Sequence, residues 1–251
     1  VTLNAGAYVS VDIIIELIEK MLGMSDGEVI GIGVSSPGVV DGGVVRSSTM
    51  RGWRNLDLAT PINEHFGIDT TVSNDATSAM LTERFFGQGG PNMLFVRMDS
   101  GLGSAILLSD TPVIGELHAA GEIGHISIDL NGPLCPCGKR GCLETMISAD
   151  ALRKQMANVD DDERQAILAR AGRYLGQALA MPAGLLDMSD VCIFGQPDII
   201  NTTFIDAAQA YLDASTSSSF HKHTVIRRCE CGPDITVQGE AIAVLLQYLA
   251  K

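Results

Sequence analysis

Apolar side chains at Val11, Ile14, Ile15, Ile18, Met21 and Leu22 recur with the 3.6-residue period of an amphipathic helix, and Gly23 stands where such a helix ends. The period then changes to two. In "EVIGIGVSSPGVVDGG", Gly31 and Gly33 alternate with Ile30, Ile32 and Val34, which predicts a strand that lets another backbone or helix approach one face closely before it enters a Pro/Gly loop. "DTTVS" predicts a strand ending at Asn74-Asp75, and "ATSAMLTERFF" the helix that follows. Such a junction of strand end and helix start is where α/β proteins commonly bind ligands. "NMLFVRM" and "SAILLS" predict two strands joined by the glycine turn "DSGLG". Helices are expected over 149–158 and 163–186, the second opening with the acidic "DDDE", where negative charge suits the helix dipole. A strand over 191–194, a helix, a strand near 224–227 and a helix from Gln238 complete the order. There is no internal repeat, and "STSSS" at 215–219 reads as a surface loop. This alternation predicts an α/β fold with helices layered around mixed sheets.

Composition adds few constraints. The 251 residues, 46% of them hydrophobic, suffice for one large domain or two tightly joined lobes. No apolar run approaches the roughly 20 residues needed to span a bilayer, and the start has neither a basic segment nor a small-residue cleavage site, so a cytoplasmic protein without membrane association is expected. Seventeen basic against thirty acidic residues give a net charge of −13, and the basic ones form no cluster. Such a surface repels phosphate backbones, so DNA binding would require a basic domain attached to this chain.

Six cysteines in an intracellular-looking sequence favour metal or free thiols over disulfides. Cys192, in "DVCIFG", reads as a small hydrophobe of a buried strand. The "CEC" of Cys229 and Cys231 is open to oxidation, to metal binding or to a place near a sheet edge, and with no nearby His or further Cys the structural reading is preferred. His125, Cys135, Cys137 and Cys142 differ from these: four soft-to-borderline ligands are the number a closed tetrahedral zinc site takes. Gly138 and Gly141 permit the sharp turns that bring three sulfurs round one ion, Pro136 stiffens the first, and Cys-x-Cys is badly placed for its own disulfide. No ligand position is left for water, so the expected zinc is structural. Glu122 and Glu144 flank the set, and a loop pinned by metal would fix the direction of Glu122, His125 and Glu144, as a preorganised polyol site requires.

"GEIGH" followed by "CPCGKRGCLE" resembles the signature of the ROK family of sugar kinases and sugar-responsive transcriptional regulators. "GIGVSSPGVVD" resembles its strand and PGxVD loop, "SNDATSAM" its Asn-Asp sugar motif and "DSGLGSAILLS" its second phosphate turn. The resemblance implies an actin-like, ribonuclease-H-like two-lobed fold, with lobes at 1–90 and 91–251, a zinc loop at 121–145 and a helical region at 149–188. It further implies a sugar site between the lobes lined by Asn74, Asp75, Glu122, His125 and Glu144 with Gly38 nearby, and assembly as a homodimer or dimer of dimers. In the family's kinases the position of Asp75 is the base that takes a proton from the sugar hydroxyl. Capping the following helix is a second role open to Asp75.

Three departures from the kinase pattern fall on the nucleotide side. The first phosphate loop, Asp-x-Gly-x-Thr, does not occur in the opening "VTLNAGAYVS"; Asp99-Ser100-Gly101-Leu102-Gly103-Ser104-Ala105 stands where kinases resemble Gly-Thr-Gly-x-Gly-Gly-Gly; and Gln196 follows Gly195 where a second glycine would admit adenosine. The expectation is therefore a sugar-sensing effector region of a ROK transcriptional regulator of carbohydrate metabolism, truncated of its first hairpin, binding no ATP, with its helix-turn-helix N-terminal to this chain. Its ligand would be a monosaccharide or a derivative. The alternatives are an ATP-dependent ROK sugar kinase lacking its first phosphate loop, and a zinc-stabilised interaction module, which leaves the Asn-Asp motif unexplained.

Overall fold

The computed structural model describes residues 1–3, 9–216 and 223–251. Part of the opening stretch, 4–8, and most of the serine-rich patch, 217–219, lie outside the described residues. Helix α1 (Val11–Leu22) is followed by strands β1 (Ile32–Ser36), β2 (Val39–Asp41), β3 (Val44–Ser48) and β4 (Trp53–Asp57), helix α2 (Ala59–Phe66), strand β5 (Thr70–Asn74) and helix α3 (Asp75–Phe86). Strands β6 (Met93–Met98), β7 (Leu102–Leu108) and β8 (Thr111–Pro112) then lead through a single 3₁₀ turn, Ile123–His125, to helices α4 (Leu143–Ile147), α5 (Ala149–Gln155) and α6 (Asp161–Leu186). Strand β9 (Asp190–Gly195), helix α7 (Thr202–Thr216), strand β10 (Val225–Arg228) and helix α8 (Ile235–Leu249) complete the chain. No helix among the described residues is long and apolar enough to cross a membrane.

Two compact units result, one of Val1–Thr82, Glu116–Ala119 and Gly232–Lys251, the other of Glu83–Gly115 and Ala120–Cys231. In the first, β1 and β5 pair in parallel with Ser36 opposite Asn74, so both strands deliver their C-terminal ends to the same edge. The close approach foreshadowed by Gly31 and Gly33 is made by α8. A Cβ on Gly33 would press on the side chains of Glu240 and Val244, and Gly239 of α8 lies so close to the carbonyl of Ser78 on α3 that no side chain fits there. Helix α1 starts at Ser10, whose hydroxyl accepts the Ile13 N–H at 3.3 Å, and buries Ile14 and Ile18 in a core with Ile32, Val45, Leu58 and Ile62.

The hairpin ladder β2-β3-β4 and helix α2 had no periodic signature. The strand sequences VVD, VVRSS and WRNLD do not alternate apolar with polar residues, and most of their positions are only partly buried or exposed. Their local signal is Asp41-Gly42-Gly43, where both glycines adopt positive φ (54° and 88°) and turn β2 into β3.

The second unit carries a five-stranded sheet in the order β10-β9-β6-β7-β8, parallel across β10, β9 and β6 and antiparallel beyond. Cys192, fully buried in β9 between Phe95 and Arg227 on the adjacent strands, takes the core position its sequence context predicts. Helix α6 begins at Asp160, whose carboxylate accepts the Glu163 N–H at 2.9 Å, with Asp161, Asp162 and Glu163 in the first turn. Further along, Gly172 and Gly176 let α6 settle against the backbone of α7 at Phe204 and Ala208. Leu143, Leu168, Leu175, Val191 and Phe204 fill the core between these helices and the sheet.

Candidate functional site

The segment after β8 has little regular structure and is shaped by turns. Cys135 N–H donates to the Lys139 carbonyl at 2.8 Å and Gly138 N–H to the Cys135 carbonyl at 2.9 Å, closing a tight knuckle, while Leu134 bridges Arg140 and Ser127 bridges Cys142. Gly138 (φ 93°) and Gly141 (φ 62°) occupy the left-handed region, and a Cβ on Gly141 would overlap the Asp129 carbonyl. These turns converge His125, Cys135, Cys137 and Cys142 so that their four ligand atoms all lie within 4.8 Å of one another. Cys137 and Cys142 sulfurs are 3.6 Å apart, and His125 Nδ1 is 3.6 Å from the Cys135 sulfur. A disulfide needs about 2.05 Å. A tetrahedral ion bound at about 2.3 Å to sulfur and about 2.0 Å to nitrogen has edges of about 3.8 Å (S···S) and about 3.6 Å (S···N). The donors present therefore fit a closed site for a thiophilic dication. Burial pushes the Cys142 thiol up to about 12 and raises Cys135, whereas Cys137, despite burial, is held below its ordinary value by hydrogen bonds from the Lys139 backbone and the two neighbouring cysteines. Ionisation of Cys135 and Cys142 therefore depends on a positive charge arriving among them.

Directed at the sulfurs through Nδ1, the His125 ring presents Nε2 toward Glu122, whose Oε2 lies at 3.9 Å. Glu144, in the first turn of α4, accepts the Leu102 N–H at 3.1 Å. The backbone nitrogen that begins β7, inside the glycine turn, is thus already committed to a carboxylate. In the same turn, Arg97 and Asp99 form an ion pair at 3.5 Å.

In the first unit, Asn74 is the residue that caps α3. Its Oδ1 accepts from Ala76 N–H (2.9 Å) and Thr77 N–H (3.1 Å), and its Nδ2 donates to the Gly38 carbonyl at 2.9 Å. Asp75, next along, accepts from Ala76 N–H at 2.9 Å. Gly38 has φ 100°, and a side chain there would strike the Ser47 carbonyl, which makes glycine obligatory in the loop between β1 and β2. The structure thus gathers Gly38, Asn74 and Asp75 in one unit, and Glu122, His125, Glu144 and the three cysteines in the other.

The characteristic sequence pattern of the ROK family matches residues 7–221. The chain belongs to the ROK family. It is 34% identical over 149 residues to a glucokinase of Thermotoga maritima and 32% identical over 151 residues to the xylose repressor of Bacillus subtilis, covering 57% and 58% of this chain. This ROK chain spans 47% and 39%, respectively, of the length of those relatives. Among solved structures, a ROK family transcriptional regulator, a homologue of the Escherichia coli MLC protein, superimposes with a TM-score of 0.83 over 95% of this chain and 68% of its own, at 24% identity. That likeness establishes the actin-like, two-lobed ROK architecture. Repressors and kinases both stand among this ROK protein's relatives, so the fold by itself does not choose between the two activities.

Two buried carboxylates of this ROK chain carry no sequence signal. Glu83, at the end of α3, meets Cys229 and Cys231 across 146 and 148 residues of chain. Glu240 of α8 is buried against Ser73 and Ser78. Neither carboxylate lies in a motif, and only the tertiary fold brings their partners to them.

Proposed function

We propose that this chain is the sugar-sensing effector region of a ROK transcriptional regulator, with zinc held by His125, Cys135, Cys137 and Cys142. The observation that carries the choice of regulator over kinase is the state of the turn before β7. Phosphoryl transfer relies on positioning and on donors aimed at phosphate oxygens. Here an acidic residue, Asp99, stands in the turn, and the Leu102 N–H is taken up by Glu144. By contrast, the residues that the resemblance assigns to polyol binding, Asn74, Asp75, Glu122, His125 and Glu144, are all present in the sequence.

In this reading the ligand is a monosaccharide whose hydroxyls are met by Asp75, Glu122 and Glu144 as acceptors, by the remaining amide hydrogen of Asn74 and by His125. Three carboxylates would repel a phosphate placed among them, so an uncharged sugar fits better. Zinc is structural and, when bound, supplies the charge that keeps the three cysteines as thiolates. It thereby fixes the ring of His125 and the start of α4, from which Glu144 projects. Sugar binding acts by favouring one conformation of a pre-existing equilibrium, and assembly as a dimer would transmit it to DNA-binding parts. With a net charge of −13, this chain leaves the DNA contact to those parts.

Calorimetry against a panel of hexoses, pentoses and N-acetylhexosamines should find one cognate sugar. Asp75→Ala and Glu144→Ala should each weaken it by roughly ten- to hundredfold, the ~1.5–3 kcal/mol expected for a charged hydrogen-bond partner, while circular dichroism remains that of the parent. Parent-like affinity in both variants would move the ligand elsewhere. ATP-dependent phosphorylation of the same sugar by the whole protein at roughly 1–100 per second would establish the kinase instead.

A further inference from the structure

We propose a second site for a thiophilic divalent cation such as zinc, formed by Glu83, Cys229 and Cys231 and separate from the His125 centre. The three side chains offer ligand atoms that all lie within 4.8 Å of one another. Cys229 and Cys231 both point their sulfurs at Oε2 of Glu83, at 3.0 and 3.3 Å. In a tetrahedral zinc site the sulfur-to-oxygen edge is about 3.5 Å, so opening the two sulfur-to-carboxylate separations by about 0.2–0.5 Å would bring them to that edge.

The division of labour within the Glu83 carboxylate supports a ligand role. Oε1 is saturated by the Arg227 guanidinium at 2.7 Å and the Gln88 N–H at 3.1 Å, which leaves Oε2 turned to the two sulfurs. Arg227 is itself clamped by Asp190 through two hydrogen bonds of 2.8 and 2.9 Å. A monodentate carboxylate whose other oxygen is fixed by an outer partner is the arrangement that orients metal ligands in proteins. Charge also balances. As the dication enters, the two thiols release their protons to solvent, so two positive charges replace two and the net charge of the buried cluster is unchanged. Arg227 and Asp190 need not move. Cys231 is partly exposed, which gives the ion an entry path and water a place as fourth ligand.

The position of this site in the chain gives it a role. Glu83 directly follows one passage between the two units, at Thr82–Glu83, and Cys231 directly precedes another, at Cys231–Gly232. An ion here would tie together two segments at which the chain leaves and re-enters the first unit, a constraint that hydrogen bonds from thiols provide only weakly.

The test is metal stoichiometry on the whole protein, purified reduced and saturated with cobalt(II), whose thiolate charge-transfer absorption reports sulfur ligation. Two equivalents per chain are expected in the parent and one in Cys231→Ala. Cys137→Ser should keep one equivalent with a thiolate band, which disappears when Cys231→Ala is added. No metal in the parent, one equivalent that Cys137→Ser abolishes, or a count that Cys231→Ala leaves unchanged overturns the proposal. The parent and the two variants decide together, and the outcome is independent of whether the protein binds sugar.

Discussion

Replacing Cys137 by Ser should remove one metal equivalent from the purified protein and open the loop around it to protease. The knuckle over 132–141 has almost no core of its own: Leu130 and Leu134 are exposed, and its backbone is held by a few turn hydrogen bonds such as Cys135 to Lys139 and Gly141 to Pro133. In the metal-bound form proposed above, its order would depend on the ion. Apparent binding free energies of structural zinc are about 10–16 kcal/mol in small zinc-binding peptides, where folding and binding are one event. Here the surrounding domain is folded already, so the effect should be concentrated in the loop. Losing a thiolate ligand should weaken binding by more than about 100-fold, since even outer partners of a ligand are worth 10–100-fold. Lys139 and Arg140 are exposed on the knuckle and give trypsin two sites there. Rapid cleavage at those residues in Cys137→Ser, and in the parent after chelation, is the expected pattern. A variant that retains the parent's metal content and its resistance to trypsin would remove the metal from this loop.

Glu240→Gln should stabilise the protein at pH 8 by about 3 kcal/mol and leave it unchanged near pH 4. Burial raises the Glu240 carboxyl to about 7 against an ordinary value of 4.5, even though hydrogen bonds from Ser78 (2.6 Å) and Ser73 (3.1 Å) favour its charged form. The native state therefore binds a proton more tightly than the unfolded chain. The stability from this group is complete below about pH 4.5 and is lost as pH rises through 7, about 2.5 pK units at ~1.4 kcal/mol each. The neutral acid also completes a chain of donors: its O–H donates to Ser78, whose own proton is released to the Asn74 carbonyl 3.1 Å away. A glutamine amide can play the same part at every pH. Urea unfolding of parent and variant across pH 4–8.5 checks this. Parallel curves for the two proteins would mean that folding leaves the pKa of Glu240 unchanged.

These two sites differ in how they announce themselves in the sequence. His125 and the three cysteines fall within 18 residues, and the glycines between them are needed for positive φ, so ligand type and turn chemistry can be read together. Asn74 and Asp75 sit where a strand period gives way to a helix period, which marks the end of β5 correctly. Capping of α3 falls to Asn74 and not to Asp75, because the Asn74 Oδ1 reaches the Thr77 N–H, three residues on. Glu83 and Glu240 carry no such local mark. Each lies on a helix whose polar positions look solvent-facing in sequence, and each is buried because a remote segment covers it. Cys229 and Cys231 have no His or further Cys near them in the sequence, and the carboxylate they meet, Glu83, stands 146 residues before Cys229. Strands β2 to β4 carry no mark for a different reason: VVD, VVRSS and WRNLD show no apolar alternation, and only Val45 and Ser48 among them are fully buried, so their stability comes from pairing.

The docking of α8 onto β1, β5 and α3 also sets an order of assembly. During synthesis, β1 and β5 leave the ribosome with their glycine face bare, because Ser73 waits 167 residues for Glu240 and Thr82 waits 153 for Ile235. Residues 83–231, apart from the short return at 116–119, need nothing made later than themselves. The unit translated first is consequently the one completed last. Until α8 arrives, Gly31, Gly33 and the surface of α3 around Ser78 form an uncovered seam, so the packing of the first unit cannot be completed before α8 is made.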